Sequence, residues 1–164
     1  MCCQGDLEDV SYAGPMLGMR EYEQDYIDAC RSRVESQVAM FREVAQAARD
    51  HGDADVSGLE GALESLEYEY FNNMLLVLEG YFVHRLRGLE GQDGNALNEV
   101  RVYARSLMEN GGTVMPDPQI DLDPGRSVLH LAVGDPVTLT LQQYSRLSDA
   151  FFREIEGRFS RRND

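Results

Sequence analysis

Between residues 20 and 50 the apolar side chains Ile27, Cys30, Val34, Val38, Phe41, Ala45 and Ala48 recur at three- and four-residue steps, with Glu, Arg and Gln between them. That period gathers them on one side of an α-helix, so the stretch predicts an amphipathic helix. Gly52 stands where a helix C-cap belongs, and the polar run 51–55 makes a connection. Ser57 with Glu60 three residues on has the spacing of a capping box, in which hydroxyl and carboxylate each accept an otherwise unpaired backbone N–H. A long helix is expected from there to about residue 89. Its middle is apolar on most sides, which calls for neighbours on more than one face and makes it the central helix of the fold.

A break at 91–95 follows, and Asn95 is placed to cap a third helix that turns Leu97, Val100, Tyr103, Ala104, Leu107 and Met108 inward. Asn110, Gly111 and Gly112 stop it. The pattern then changes: 113–125 is rich in Pro, Asp and Gly, and the alternation through 127–133 reaches Gly134 and Asp135 before a second apolar run. This predicts a small antiparallel hairpin with Pro136 on an edge, and His130, between Leu129 and Leu131, on the outer face of a strand. Thr140 and Gln143 repeat the capping-box spacing. The last helix then buries Tyr144, Leu147, Ser148, Phe151, Ile155 and Phe159, with Phe152 beside them, and its basic end suits the helix macrodipole.

The expected fold is mainly α with a minor β part (α+β): about four helices packed around a long central helix, with a small antiparallel sheet between the third and fourth helices. Residues 1–19 read as a flexible N-terminal segment, and 20–160 as one helical domain with a β insert over about 113–139. A chain of 164 residues buries about 68–70% of its unfolded surface when it folds as one domain, so no metal or disulfide is needed to hold it.

Charge narrows the partners. The formal net charge of −14 disfavours nucleic acid, whose phosphates are held by clustered Lys and Arg. A charged partner is expected to be a basic protein. All 15 basic residues are arginine, which removes Schiff-base chemistry and the P-loop lysine together. The first residues have neither a basic n-region nor a long apolar core, and no later run is long enough to span a bilayer, so a cytoplasmic protein with no membrane contact is expected. Among the three cysteines, Cys30 falls on the apolar helix face as a core thiol, and Cys2 and Cys3 form no CxxC.

Candidate chemistry centres on the second helix. Placed at 100° per residue, Glu69, Asn72, Asn73, Glu79, Gly80, His84 and Arg87 share one side, interrupted by Leu76 and Val83. This arc is either a solvated polar face or a pocket, because adjacent asparagines in an apolar run must be hydrogen bonded if buried. In the pocket reading His84 is the candidate acid–base group, and Asn73, Glu79, Arg87 and Arg101 bind the ligand or orient the ring. On a continuous helix Arg85 projects away from Arg87, so those two are not expected to clamp one ion. The loop at 90–95 fails as an EF-hand: with Gly94 as the turn glycine, Leu89 and Val100 would have to be the first and twelfth ligands. No histidine stands in a Glu-x-x-His or HxxxH pair, and no nucleophile elbow or dinucleotide fingerprint occurs, so neither metal nor cofactor is expected.

Two functions remain. The first is a non-enzymatic interaction or assembly module, homodimeric, with itself or a basic protein as partner. The second is a small-anion-binding protein or enzyme built on His84 and Arg87.

Overall fold

A computed structural model describes residues 18–51 and 56–161. Within them the first predicted stripe is realised in α1 (Gln24–His51), which buries Ile27, Cys30, Val34, Val38 and Ala45. Most of the segment expected to be flexible, the stop at Gly52 and the connection after it lie outside the described residues. Of residues 1–19, Met19 is held on both sides: its N–H donates to the His84 carbonyl at 2.7 Å, and its own carbonyl accepts from Leu86 N–H at 2.8 Å.

α2 (Val56–Tyr81) begins one residue ahead of Ser57. Glu60, assigned by spacing to a capping box, pairs with Arg49 of α1 at 3.0 Å and ties the end of one helix to the start of the next. The far end departs more. A helix to about residue 89 was expected, but α2 stops at Tyr81, a turn follows, and a short α3 (Arg87–Glu90) is separate. The carbonyl of His84 and the amide of Leu86, which a continuing helix would spend on its own i→i−4 ladder, are bound to Met19 instead. Gly18 permits that approach, since a Cβ there would lie 2.8 Å from Leu86 Cα.

α4 (Ala96–Glu109) is capped as expected, the Asn95 side chain accepting from the N–H groups of Leu97 and Asn98. It buries Leu97, Val100, Tyr103 and Ala104, but Met108, expected inside, is 72% exposed. α5 (Leu141–Phe159) carries the complete capping box of Thr140 and Gln143 and buries the stripe read from its sequence. A carboxylate from α2 completes its N-terminus, with Leu141 N–H donating to Glu67 at 2.8 Å.

The hairpin is absent. No strand is formed among the described residues of 113–139. The only sheet-like contact there is an isolated antiparallel bridge between Thr113 and Pro136, so Val114 pairs with Gly134 and Asp135 where the alternation had paired 127–133 with the run after the turn. The physical reason is competition for backbone donors. Glu99 accepts the N–H groups of Val128 and Leu129 at 2.8 Å each, and Asp135 accepts that of Ala132, groups a ladder would need. His130, expected on the outer face of a strand, instead has a left-handed φ of 59°, and its Nδ1 lies 2.7 Å from the Pro124 carbonyl.

The protein is mainly helical. α2 packs against α1, α4 and α5, and α5 against all four other helices, so the central role expected of one helix is shared by two. Between them most of the described aromatic residues fall into two groups. Tyr22, Tyr26, Phe82, Phe151, Phe152 and Phe159 meet at one end, and Phe41, Tyr70, Phe71 and Tyr144 meet at the other.

Candidate functional site

Where α2 gives way to α3, five charged side chains converge. Arg85 is fully buried, its guanidinium 3.0 Å from Glu79 and 3.2 Å from the equally buried Glu90. It donates hydrogen bonds to the carbonyls of Phe82 and Leu97 and lies over the Phe151 ring, 5.6 Å from its centre. Arg87 donates to Glu90 and stands 3.7 Å from Glu79. Arg101 from α4 comes within 3.3 Å of Glu90, and Asn98 donates to the same carboxylate at 2.9 Å.

Three guanidinium groups thus surround two carboxylates, and the two carboxylates respond differently. Burial dominates at Glu79 and raises its carboxyl above the ordinary range, although Arg85 and Arg87 pull it down. Burial also pushes at Glu90, but Arg85, Arg87 and Arg101 together hold that carboxyl below its ordinary value. Arg101 is lowered by burial despite Glu90 beside it. Such a cluster fixes the junction geometrically while contributing little net stability, because desolvating the charges offsets most of their attraction.

Of the predicted site residues, Glu79, Arg87 and Arg101 are brought together here. His84 is not on the helix arc: it is exposed in the turn after Tyr81 and lines a cleft with Met19, Tyr22, Tyr26 and Tyr81. Asn73 is exposed and lines a different groove, of about 480 Å³, with Glu69, Leu107 and Gly112. Asn72 is the asparagine that satisfies the hydrogen-bond demand, spanning the Val137 carbonyl at 2.8 Å and the Leu139 N–H at 3.2 Å.

Sequence reasoning missed Arg85, Glu90 and Asn98. The separation of Arg85 from Arg87 held only for an unbroken helix; with the helix ended at Tyr81 both reach Glu79 and Glu90. The one signal available was an arginine embedded in the apolar run 81–89, and composition cannot distinguish such a residue from a solvated one.

A second buried carboxylate lies at Glu99. It accepts from Val128 N–H, Leu129 N–H and the Tyr103 hydroxyl. Burial raises its carboxyl, and those three donors work in the opposite direction. With its acceptor capacity directed at the backbone of the 127–130 loop, Glu99 is a structural clamp.

Along α2 and α4 an apolar groove of about 450 Å³ runs past Leu76, Gly80, Val83, Ala104 and Met108, edged by Glu79, Arg101, Arg105 and Glu109. Among the described residues no helix is long and apolar enough to cross a membrane, and no three His, Cys, Asp or Glu side chains stand together as a metal-binding group. Set against known proteins, the chain matches no family model, no curated protein and no solved structure.

Proposed function

We propose that this protein is a non-enzymatic assembly module that pairs with a second copy of itself through the α2–α4 groove. The observation that carries the reading is the uncovered apolar surface there: Met108 on α4 is 72% exposed and Val83, in the turn after α2, is 43% exposed, beside the half-buried Leu76. At Gly80, inside that surface, a Cβ would meet nothing within 4 Å, so the backbone of a partner helix has room to come close. The rim is locally balanced, Arg101 and Arg105 against Glu79 and Glu109, in a molecule whose formal charge is −14. Two copies of so acidic a chain repel over most of their surfaces. They meet with least repulsion at this face, whereas a basic partner would be drawn to the acidic remainder.

Sedimentation velocity across a dilution series tests this. The wild type is expected to be dimeric at high concentration, and the double substitution Val83→Glu, Met108→Glu is expected to be monomeric with an unchanged circular dichroism spectrum. A wild type that stays monomeric up to its solubility limit removes the proposal.

A second reading, a small anion held by Arg87 with His84 nearby, draws on the excess of guanidinium over carboxylate in the junction cluster. It is the weaker, since Arg87 is already engaged by Glu79 and Glu90 and an incoming anion must compete with both. Phosphate titration followed by the His84 ring resonances distinguishes it: saturable shifts, abolished by Arg87→Gln, would support an anion site.

A further inference from the structure

Beside the junction, and sharing no lining residue with the α2–α4 groove, lies a cleft of about 510 Å³ whose walls include Tyr22, Tyr26 and Tyr81. We propose that this cleft binds a small methylated ammonium compound. Its size falls within the range of roughly 300–1,000 Å³ usual for small-molecule sites, and its walls carry the two features such a cation requires. The first is aromatic surface. Tyr26, 41% exposed, is backed by the buried Tyr22, stacked on it with ring centres 5.8 Å apart and planes inclined by 16°, so Tyr26 supplies the exposed ring, and its hydroxyl donates to the Tyr81 carbonyl at 2.7 Å, which locks it in place. Aromatic faces attract a cation through their quadrupole, and a methylated ammonium sheds its weakly held water readily enough to sit against them.

The second feature is charge. Glu21 and Glu23 stand at the cleft, and a single cation, Arg161, is shared between them, bonded to each. Of the arginine and carboxylate side chains in the lining, which also contains His84, one guanidinium stands against two carboxylates and the balance is negative. The arrangement also shows that the rim already takes a cation, the chain's own. An anion is disfavoured by both carboxylates, and a neutral apolar ligand would make no use of them.

The test is titration of the full chain with choline, read by intrinsic tyrosine fluorescence, which no tryptophan obscures because the chain has none. Saturable quenching is expected, with 3,3-dimethylbutan-1-ol, the uncharged isostere, binding at least about tenfold more weakly. Tyr26, 41% exposed, can be changed without emptying the core: Tyr26→Leu is expected to weaken choline binding roughly five- to thirtyfold, and Tyr26→Phe, which keeps the π face, by less than about threefold. Glu21→Gln with Glu23→Gln weakens it further. Arg161→Gln, which frees both carboxylates, is expected to tighten it about threefold. Equal affinity for choline and its isostere, or no saturation with choline in either the wild type or Arg161→Gln, overturns the proposal. Failure here leaves the α2–α4 assembly untouched, because sedimentation reads a different face.

Discussion

Arg85 and Glu90 hold each other inside the protein, Nε to carboxylate at 3.2 Å with both side chains wholly excluded from solvent. Neither charge has water to return to if the other is lost. Arg85→Met, which keeps the length and removes the charge, is therefore expected to cost about 3–5 kcal/mol in urea unfolding, most of it from carboxylates left buried and less well paired. The sign with pH follows from Glu90, whose folded value lies below the ordinary one. Its contribution is full above the ordinary glutamate value and is lost as pH falls through the lower, folded value. In Glu90→Gln that part of the acid sensitivity disappears.

Glu99 titrates in the opposite sense. Its folded value is raised by burial, so the stability it contributes is full below the ordinary value and declines as pH rises through the raised one. Glu99→Gln removes that decline. Glu99→Ala goes further and strands the amides of Val128 and Leu129, at a cost of about 2–4 kcal/mol. Hydrogen exchange at those two amides is the direct measurement, and both are expected to lose protection.

Asn72 and Asn73 are neighbours with opposite predictions. Asn72→Leu leaves the Val137 carbonyl and Leu139 N–H without the partner they share, for an expected loss of about 2–3 kcal/mol. Asn73→Ala, at an exposed position, is expected to stay within about 0.5 kcal/mol of wild type. Thermal melts of the two variants side by side decide it.

Gly94 has a φ of 76°, and a Cβ added there would lie 2.4 Å from the Asp121 carbonyl oxygen. Gly94→Ala must move backbone, so a loss of about 1–3 kcal/mol is expected. Gly61, within α2, has open space around the same position, and Gly61→Ala is expected to gain up to about 1 kcal/mol. Opposite shifts in melting temperature are the expected result.

These contrasts also mark what the sequence could reveal. Caps were legible at Asn95 and Thr140 because a cap is a contract among residues three positions apart, and the stripe of α5 was legible because its period repeats through the whole helix. The end of α2 was not, since it is decided by Met19, distant in sequence and adjacent in space. Continuing the helix past Tyr81 sets every later angle wrong, which separates Arg85 from Arg87 and puts His84 with Asn73. The hairpin reading failed for a related reason: alternation describes side chains, whereas a strand also needs free backbone donors, and Glu99 had taken two of them.

Tyr22 makes one further connection. Its N–H donates to the Phe159 carbonyl at 2.7 Å, and its carbonyl accepts from Arg161 N–H at 3.1 Å, so the first described residues lie alongside the last. In topology the described chain is closer to a ring than to a string. A circular permutant that joins residue 161 to residue 18 through a short flexible linker, and opens the chain between α1 and α2, keeps both of these bonds and every helix intact.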